Sequence, residues 1–228
     1  MKVTRHGANL VQLTRQGWSN CYLVREDDGL TLIDTTLGGA AKAILAAGQE
    51  LGAPIVRIAL THAHGDHIGS LDALHAALPD AEVLIGAREA RILGGDKSLD
   101  PDEPQTKVKG SYPKKIQTRP TRELVPGEKV GSLEVVPAPG HTPGQIAFFD
   151  PRERDLIAGD AFQTLGGIAV AGVVRPIFPF MAMATWHKPT AVVTARALRA
   201  LDPSRLAVGH GRVLENPGAE IDQAIEAA

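Results

Sequence analysis

The chain has 228 residues, 43% of them hydrophobic and 22% charged, with a formal net charge of −2, enough to fill the core of one domain spanning residues 1–228. Near-balanced charge and the lack of a long Lys/Arg run give no reason to expect a nucleic-acid partner, leaving open only a local basic patch. The longest apolar stretches, 166–174 and 176–184, are separated by Arg175 and broken by Gly and Pro, so no membrane partner is expected.

The opening MKVTRH lacks the apolar core of a secretory signal. Short β-like runs follow at 9–14, 20–25 and 30–34, with Glu26-Asp27-Asp28-Gly29 as a hairpin turn. Cys21 opens an apolar run and reads as a buried, inert thiol. As the sole cysteine it excludes an intrachain disulfide, and a reducing cytoplasm is the expected location. Residues 40–51 form an Ala-rich helix closed by Gly52 and Pro54, and 55–60 an apolar strand that ends where histidines begin. Ile68, Leu71, Leu74 and Leu78 mark an amphipathic helix, and 81–86 another strand. The polar stretch 94–113 is a long connection of the kind used as a lid or binding loop. Strands recur at 133–137, 145–150 and 155–158. A helix at 190–201 has Pro189 near its start, and a strand at 206–208 precedes a last helix capped by Asn216 with Pro217 in its first turn. Each half runs from strands into helices, which fits an α/β fold of two sheets packed face to face with helices outside, among other α/β arrangements.

The segment Thr61-His62-Ala63-His64-Gly65-Asp66-His67 carries the most chemistry. In extended backbone alternate side chains share a face, so His62, His64 and Asp66 converge, while His67 needs a turn to join them. Imidazoles with a carboxylate suit zinc, iron or manganese, and imidazole favours the first two. His141 and His210 lie among glycines after β-like runs, and Asp160 ends a strand. Alone, each reads as a surface or hydrogen-bonded core residue, or for Asp160 a cap; jointly they read as metal ligands.

HAHGDH at 62–67, PGHTPG at 139–144, AGDA at 158–161 and GHG at 209–211 stand in order and in local settings that resemble the metallo-β-lactamase superfamily. The resemblance implies a four-layer αββα sandwich of two mixed sheets. It also implies two divalent metal ions: His62, His64 and His141 on the first, Asp66, His67 and His210 on the second, and Asp160 bridging. Zinc is the expected ion, with iron or manganese as alternatives. Cations sharing a water make hydroxide accessible near neutral pH, to attack an electrophilic centre. Asp66 is then the catalytic candidate, orienting the nucleophile and delivering a proton to the leaving group. Asp34, ending a strand, reads as a support for the ligands rather than a catalyst. His75 is expected at a helix rim, His6 in solvent, and His187 in solvent or, as the alternative, lining a pocket.

Departures from the family narrow the substrate. True β-lactamases carry cysteine or serine where this chain has Asp160, and acyl-homoserine lactonases often place a tyrosine where it reads Ala161-Phe162-Gln163. Only a short tail follows His210, against the glutathione-binding region of glyoxalase II-type thioesterases, and the RNA-gripping arm of RNase Z-like nucleases is not evident. Trp18, Phe178, Phe180, Met181, Met183 and Trp186 form a candidate apolar pocket wall, the alternatives being plain core or a contact between copies of the chain. The leading expectation is a hydrolase in which a metal-bound hydroxide attacks a small-molecule ester, lactone or thioester. The alternatives are a mononuclear-iron persulfide dioxygenase-like oxidoreductase, a phosphodiesterase, or a non-catalytic metal-binding sensor.

Overall fold

The structure, a computed structural model, describes residues 1–113 and 115–228. Its first sheet has seven strands in chain order: β1 (Lys2–His6), β2 (Leu10–Arg15), β3 (Ser19–Glu26), β4 (Gly29–Ile33), β5 (Ile55–Leu60), β6 (Glu82–Gly86) and β7 (Arg122–Leu124). β1 to β4 form an antiparallel meander, whereas β4 to β7 pair in parallel. Parallel neighbours require crossovers, and these contain α1 (Ala41–Glu50), α2 (Gly65–Ile68), α3 (Leu71–Ala77) and α4 (Ala87–Leu93).

The second sheet contains β8 (Lys129–Val130), β9 (Leu133–Pro137), β10 (Ile146–Asp150) and β11 (Asp155–Ile157). A ribbon of β12 (Phe162–Gln163) and β13 (Ala169–Val170) and two helices, α5 (Phe180–Ala184) and α6 (Lys188–Ala200), come next. β14 (Arg205–Ala207), β15 (Leu214–Glu215) and α7 (Gly218–Glu226) complete the chain. The spatial order is β15-β14-β11-β10-β9-β8, and β11 and β14 are its parallel pair.

Period-two alternation sorts the strand side chains into layers. Val83 and Ile85 on β6 join Ile44 of α1, Leu71 and Leu74 of α3 and Ile92 of α4 in an outer core. Leu84 between them faces the other way, meeting Phe148, Ile157 and Ala207 at the interface of the two sheets. On the far side, Ala147 and Phe149 pack with Ala195 and Leu198 of α6 and Ile221 of α7. Helix, sheet, sheet and helix are thus held by three apolar interfaces, the expected αββα sandwich of mixed sheets.

Several expectations are corrected. Residues 2–6 form an edge strand whose outward Lys2 and Arg5 hide it from an apolar pattern. His6 is half-buried there, 3.2 Å from Gln12 Oε1, rather than in solvent. The helix anticipated through Ile68 and Leu78 is split between α2 and α3, because Gly69 N donates to Thr36 O and Ser70 Oγ to Leu37 O. Asn216 does not cap α7; it sits at φ 47°, its N–H donates to Ser204 O, and Pro217 takes the cap position. His187 is the N-cap residue of α6, its Nδ1 accepting from Thr190 N, rather than a free surface histidine. Cys21 is fully buried as expected. Among the described residues no helix is long and apolar enough to cross a membrane.

Candidate metal centre

The C-terminal ends of parallel strands from both sheets meet at one edge of the sandwich. Past β5 the chain stays extended through His64 (φ −69°, ψ 148°) and then enters α2, whose first turn carries Asp66 and His67. That turn brings His67 back toward a motif whose strict alternation had excluded it. Asp160 follows β11, His210 follows β14, and His141 lies in the β9–β10 connection. Backbone bonds fasten the two halves here: Ile146 N donates to Thr61 O at 3.0 Å and Asn20 N to Gly209 O at 2.9 Å. Tyr22 Oη adds a bond to Val208 O at 2.6 Å.

All seven anticipated side chains gather in this space, in three groups of potential ligands: His62, His64 and His141; His62, His67 and Asp160; Asp66, His67 and His210. Asp66 is the least buried, and the other six are buried. Asp160 reaches both outer groups: its Oδ2 is 3.5 Å from His141 Nε2 and 3.1 Å from His210 Nε2, and its Oδ1 is 3.3 Å from His67 Nε2.

Proton positions follow from the outer partners. His64 Nε2 lies 3.1 Å from Lys109 O and His210 Nδ1 3.3 Å from Trp18 O; a carbonyl only accepts, so those nitrogens carry hydrogen. Thr185 Oγ1 donates to Met181 O, so it accepts from His141 Nδ1 at 3.1 Å. Thr61 Oγ1 donates to Asp34 Oδ2, so it accepts from His62 Nδ1 at 3.0 Å. His67 Nδ1 donates to Asp34 Oδ2 at 2.7 Å. Every histidine therefore spends one ring N–H outward and turns its other nitrogen to the centre, the arrangement that fixes metal-ligand tautomers.

The inner contacts test whether a cation fits. His64 Nδ1 lies 3.1 Å from His62 Nε2 and 2.9 Å from His141 Nε2. With each outer nitrogen protonated, these neutral rings aim lone pairs at one another and no hydrogen bond forms between them. Burial first, then the neighbouring histidines, pushes His62 well below its ordinary pKa, and burial takes His141 down to about 3, so protons do not relieve the crowding. His67 Nε2 and Asp160 Oδ1 are buried 3.3 Å apart with no other polar partner. Converging ring nitrogens and a carboxylate oxygen that only they approach fit divalent cations.

The second trio is more anionic. Burial opposes ionisation of Asp160, yet His210 and His67 outweigh it and hold the carboxyl well below the usual range. Burial likewise opposes a charge on His210, but Asp160 and Asp66 together outweigh it and raise it to about 9.

Packing leaves little slack around the ligands. Gly110, at φ 98°, passes so close to His64 that a Cβ would sit 1.9 Å from its Nε2. The 94–113 connection is thereby part of the site: Lys109 O holds His64, and Gly65 N donates to Ser111 O. Two buried carboxylates stand behind the candidate ligands. Asp34, expected to support them, accepts from Thr61 N and His67 Nδ1. Glu89 was missed, because α4 itself was not foreseen and an isolated Glu between Arg88 and Ala90 reads as a solvated residue.

The centre opens into a cleft of about 430 Å³ lined by Trp18, Phe178, Phe180 and Met181 beside Asp66 and His210. Phe178 stacks 5.3 Å from Trp18 and 4.7 Å from His210. Trp186 does not line it; the ring is buried in the outer core and its Nε1 donates to Thr106 O, while its backbone N–H donates to His141 O. It buttresses the His141 loop instead of touching the cleft. Met183 is exposed and outside the lining as well.

Residues 15–210 match the model of the metallo-beta-lactamase superfamily. The chain is 53% identical to the uncharacterized protein YobT of Bacillus subtilis over 92% of this chain and 90% of that protein. A hydroxyacylglutathione hydrolase of Synechococcus is 32% identical over 61% of this chain, which spans 47% of the enzyme. The structure of TTHA1623 in a di-iron-bound form superposes with a TM-score of 0.67 at 27% identity, covering 92% of this chain and 96% of that one.

Proposed function

The chain belongs to the metallo-beta-lactamase superfamily, a family of metal-dependent hydrolases, and from that premise we propose that it is a dinuclear hydrolase of small esters, lactones or thioesters with an apolar acyl part. The observation that carries the reading is the gathering of five imidazoles, each pinned at its outer nitrogen, around a buried carboxylate that His67, His141 and His210 approach to within 3.5 Å. His62, His64 and His141 would hold one ion, Asp66, His67 and His210 the other, with Asp160 between them. Divalent ions there would supply Lewis acidity, bringing the pKa of water toward neutrality and polarising an acyl oxygen.

The chain's own groups do the rest. Asp66 lines the cleft with its Oδ2 3.3 Å from His210 Nε2 and its side chain 27% exposed. Burial opposes its ionisation, but His210 and His67 outweigh it and hold the carboxyl well below the usual range, so its part is that of an ionised acceptor that orients the nucleophile. Trp18, Phe178 and Met181 cover the approach with apolar surface, which orients an acyl chain and excludes water. A complete second trio supports two ions over a mononuclear-iron oxidoreductase, and the apolar wall supports a carbonyl substrate over a phosphodiester. The hydroxyacylglutathione hydrolase relative supports the thioester class. Zinc remains the ion we propose; the di-iron neighbour keeps iron as the alternative.

The test is a panel of esters, lactones, thioesters and phosphodiesters, run on chelator-stripped and metal-reloaded protein beside an oxygen electrode. Hydrolysis of a carbonyl class, lost on stripping and restored by one metal, is the expected result. Oxygen uptake, or turnover of phosphodiesters alone, would overturn the proposal.

A further inference from the structure

We infer that Glu89 is a positioning residue for the first trio: its carboxylate locks the His62–His64 loop to the His141 loop and provides negative charge that three neutral imidazoles lack. The inference rests on the reading that this trio holds a divalent ion.

Glu89 lies on α4, in the outer helix layer, and is 0% exposed. Its Oε1 accepts from Ala63 N at 2.9 Å, and Ala63 is the residue between His62 and His64. Its Oε2 accepts from Thr142 Oγ1 at 2.8 Å and from Gly144 N at 3.1 Å, just beyond His141. One carboxylate thus ties a loop at the end of the first sheet to a connection of the second. His64 and His141, whose inner nitrogens lie 2.9 Å apart, are each one residue from a bond to it.

Charge points the same way. Three neutral rings leave a dication uncompensated on their side, while Asp160 also serves His67 and His210. Among the described residues Glu89 has no ion-pair partner, and the neighbouring Arg88 guanidinium is committed to Glu103 at 2.7 and 2.9 Å. A fully buried carboxylate with three donors and no cation is costly. An ion among the adjacent imidazoles would offset that cost.

Glu89→Gln tests the inference. Whichever way the amide turns, its NH2 group faces the N–H of Ala63 or of Gly144, so one tie is lost together with the charge. Cobalt(II) titrated against a competing chelator, with occupancies read from anomalous diffraction at limiting metal, should show affinity at the His62–His64–His141 site falling about 10–100-fold. The other site should hold its affinity, and the visible absorption of cobalt at the first site should shift. Thr142→Val, which removes one donor at constant shape, should lower first-site affinity by a smaller factor and covers the case in which the Gln variant does not fold. A lowered melting temperature with both affinities and the cobalt spectrum unchanged would mean a merely structural carboxylate and would overturn the inference alone. Failure of the parent protein to bind at the first site would overturn it together with the dinuclear reading.

Discussion

Gly110→Ala should remove the first metal ion without unfolding the protein. The new Cβ would lie 1.9 Å from His64 Nε2 and 2.6 Å from both Cδ2 and Cε1. The imidazole must retreat by roughly 1.5 Å to regain van der Waals separation. That shift breaks the contact of Nε2 with Lys109 O and carries Nδ1 away from its places 3.1 Å from His62 and 2.9 Å from His141. Backbone strain must be separated from the clash, and the same connection supplies the control. Gly95 has φ 97°, nearly that of Gly110, but a Cβ there meets nothing within 4 Å. Both substitutions should cost about 1–3 kcal/mol of strain, visible as similar falls in melting temperature. Only Gly110→Ala should lose first-site affinity, by 10-fold or more on the order expected for a disturbed ligand support. Elemental analysis after dialysis against a mild chelator reads the difference as about one ion per chain. Equal metal content and affinity in the two variants would refute the reasoning.

Asp34→Asn should weaken the Asp66–His67–His210 site about 10–100-fold, because the acceptor 2.7 Å from His67 Nδ1 loses its charge; unchanged affinity in a zinc competition assay would reject that support role. Phe180 is 65% exposed yet lines the cleft, so Phe180→Ser should leave stability within about 0.5 kcal/mol. It should raise KM for long-chain acyl esters about tenfold, the loss of about 1.5 kcal/mol of apolar contact, with little effect on acetyl esters. A change of oligomeric state in its place would mark this face as a contact between copies. Metal-free and loaded protein should also differ in pH dependence. His210 is raised from 6.5 to about 9 when its site lacks a cation. The stability this pairing contributes, on the order of 3 kcal/mol, is therefore full below pH 6.5 and lost as pH rises through about 9. Metal binding must displace those protons, so affinity climbs over the same window. Melting temperatures of stripped and reloaded protein should run in opposite directions between these pH values; parallel trends would contradict the linkage.

The sequence reading succeeded where side chains alternate in a buried sheet. The strands expected at 55–60 and 133–137 coincide with β5 and β9, whose apolar positions divide between two cores. β8, β12, β13 and β15 have two residues each, too few to display a period. β1 carries its charges outward at an edge, and α4 reads AREARIL, which gives no clear amphipathic stripe. The seven ligand candidates were legible because their residue types are rare at strand ends and recur together. Their supports were less so. Asp34 was found from its strand-end position, whereas Glu89 and Gly110 act through tertiary contacts that leave no local trace. Trp186 shows the converse limit: an aromatic in an apolar run reads alike whether it faces a cleft or, as here, a core.

Anomalous diffraction from crystals of metal-loaded protein tests the central claim most directly. Two peaks about 3.5–4 Å apart, one against His62, His64 and His141 and the other against Asp66, His67 and His210, with Asp160 reaching both, are the expected result. A single peak at full metal saturation, or density that leaves Asp160 untouched, would contradict the account.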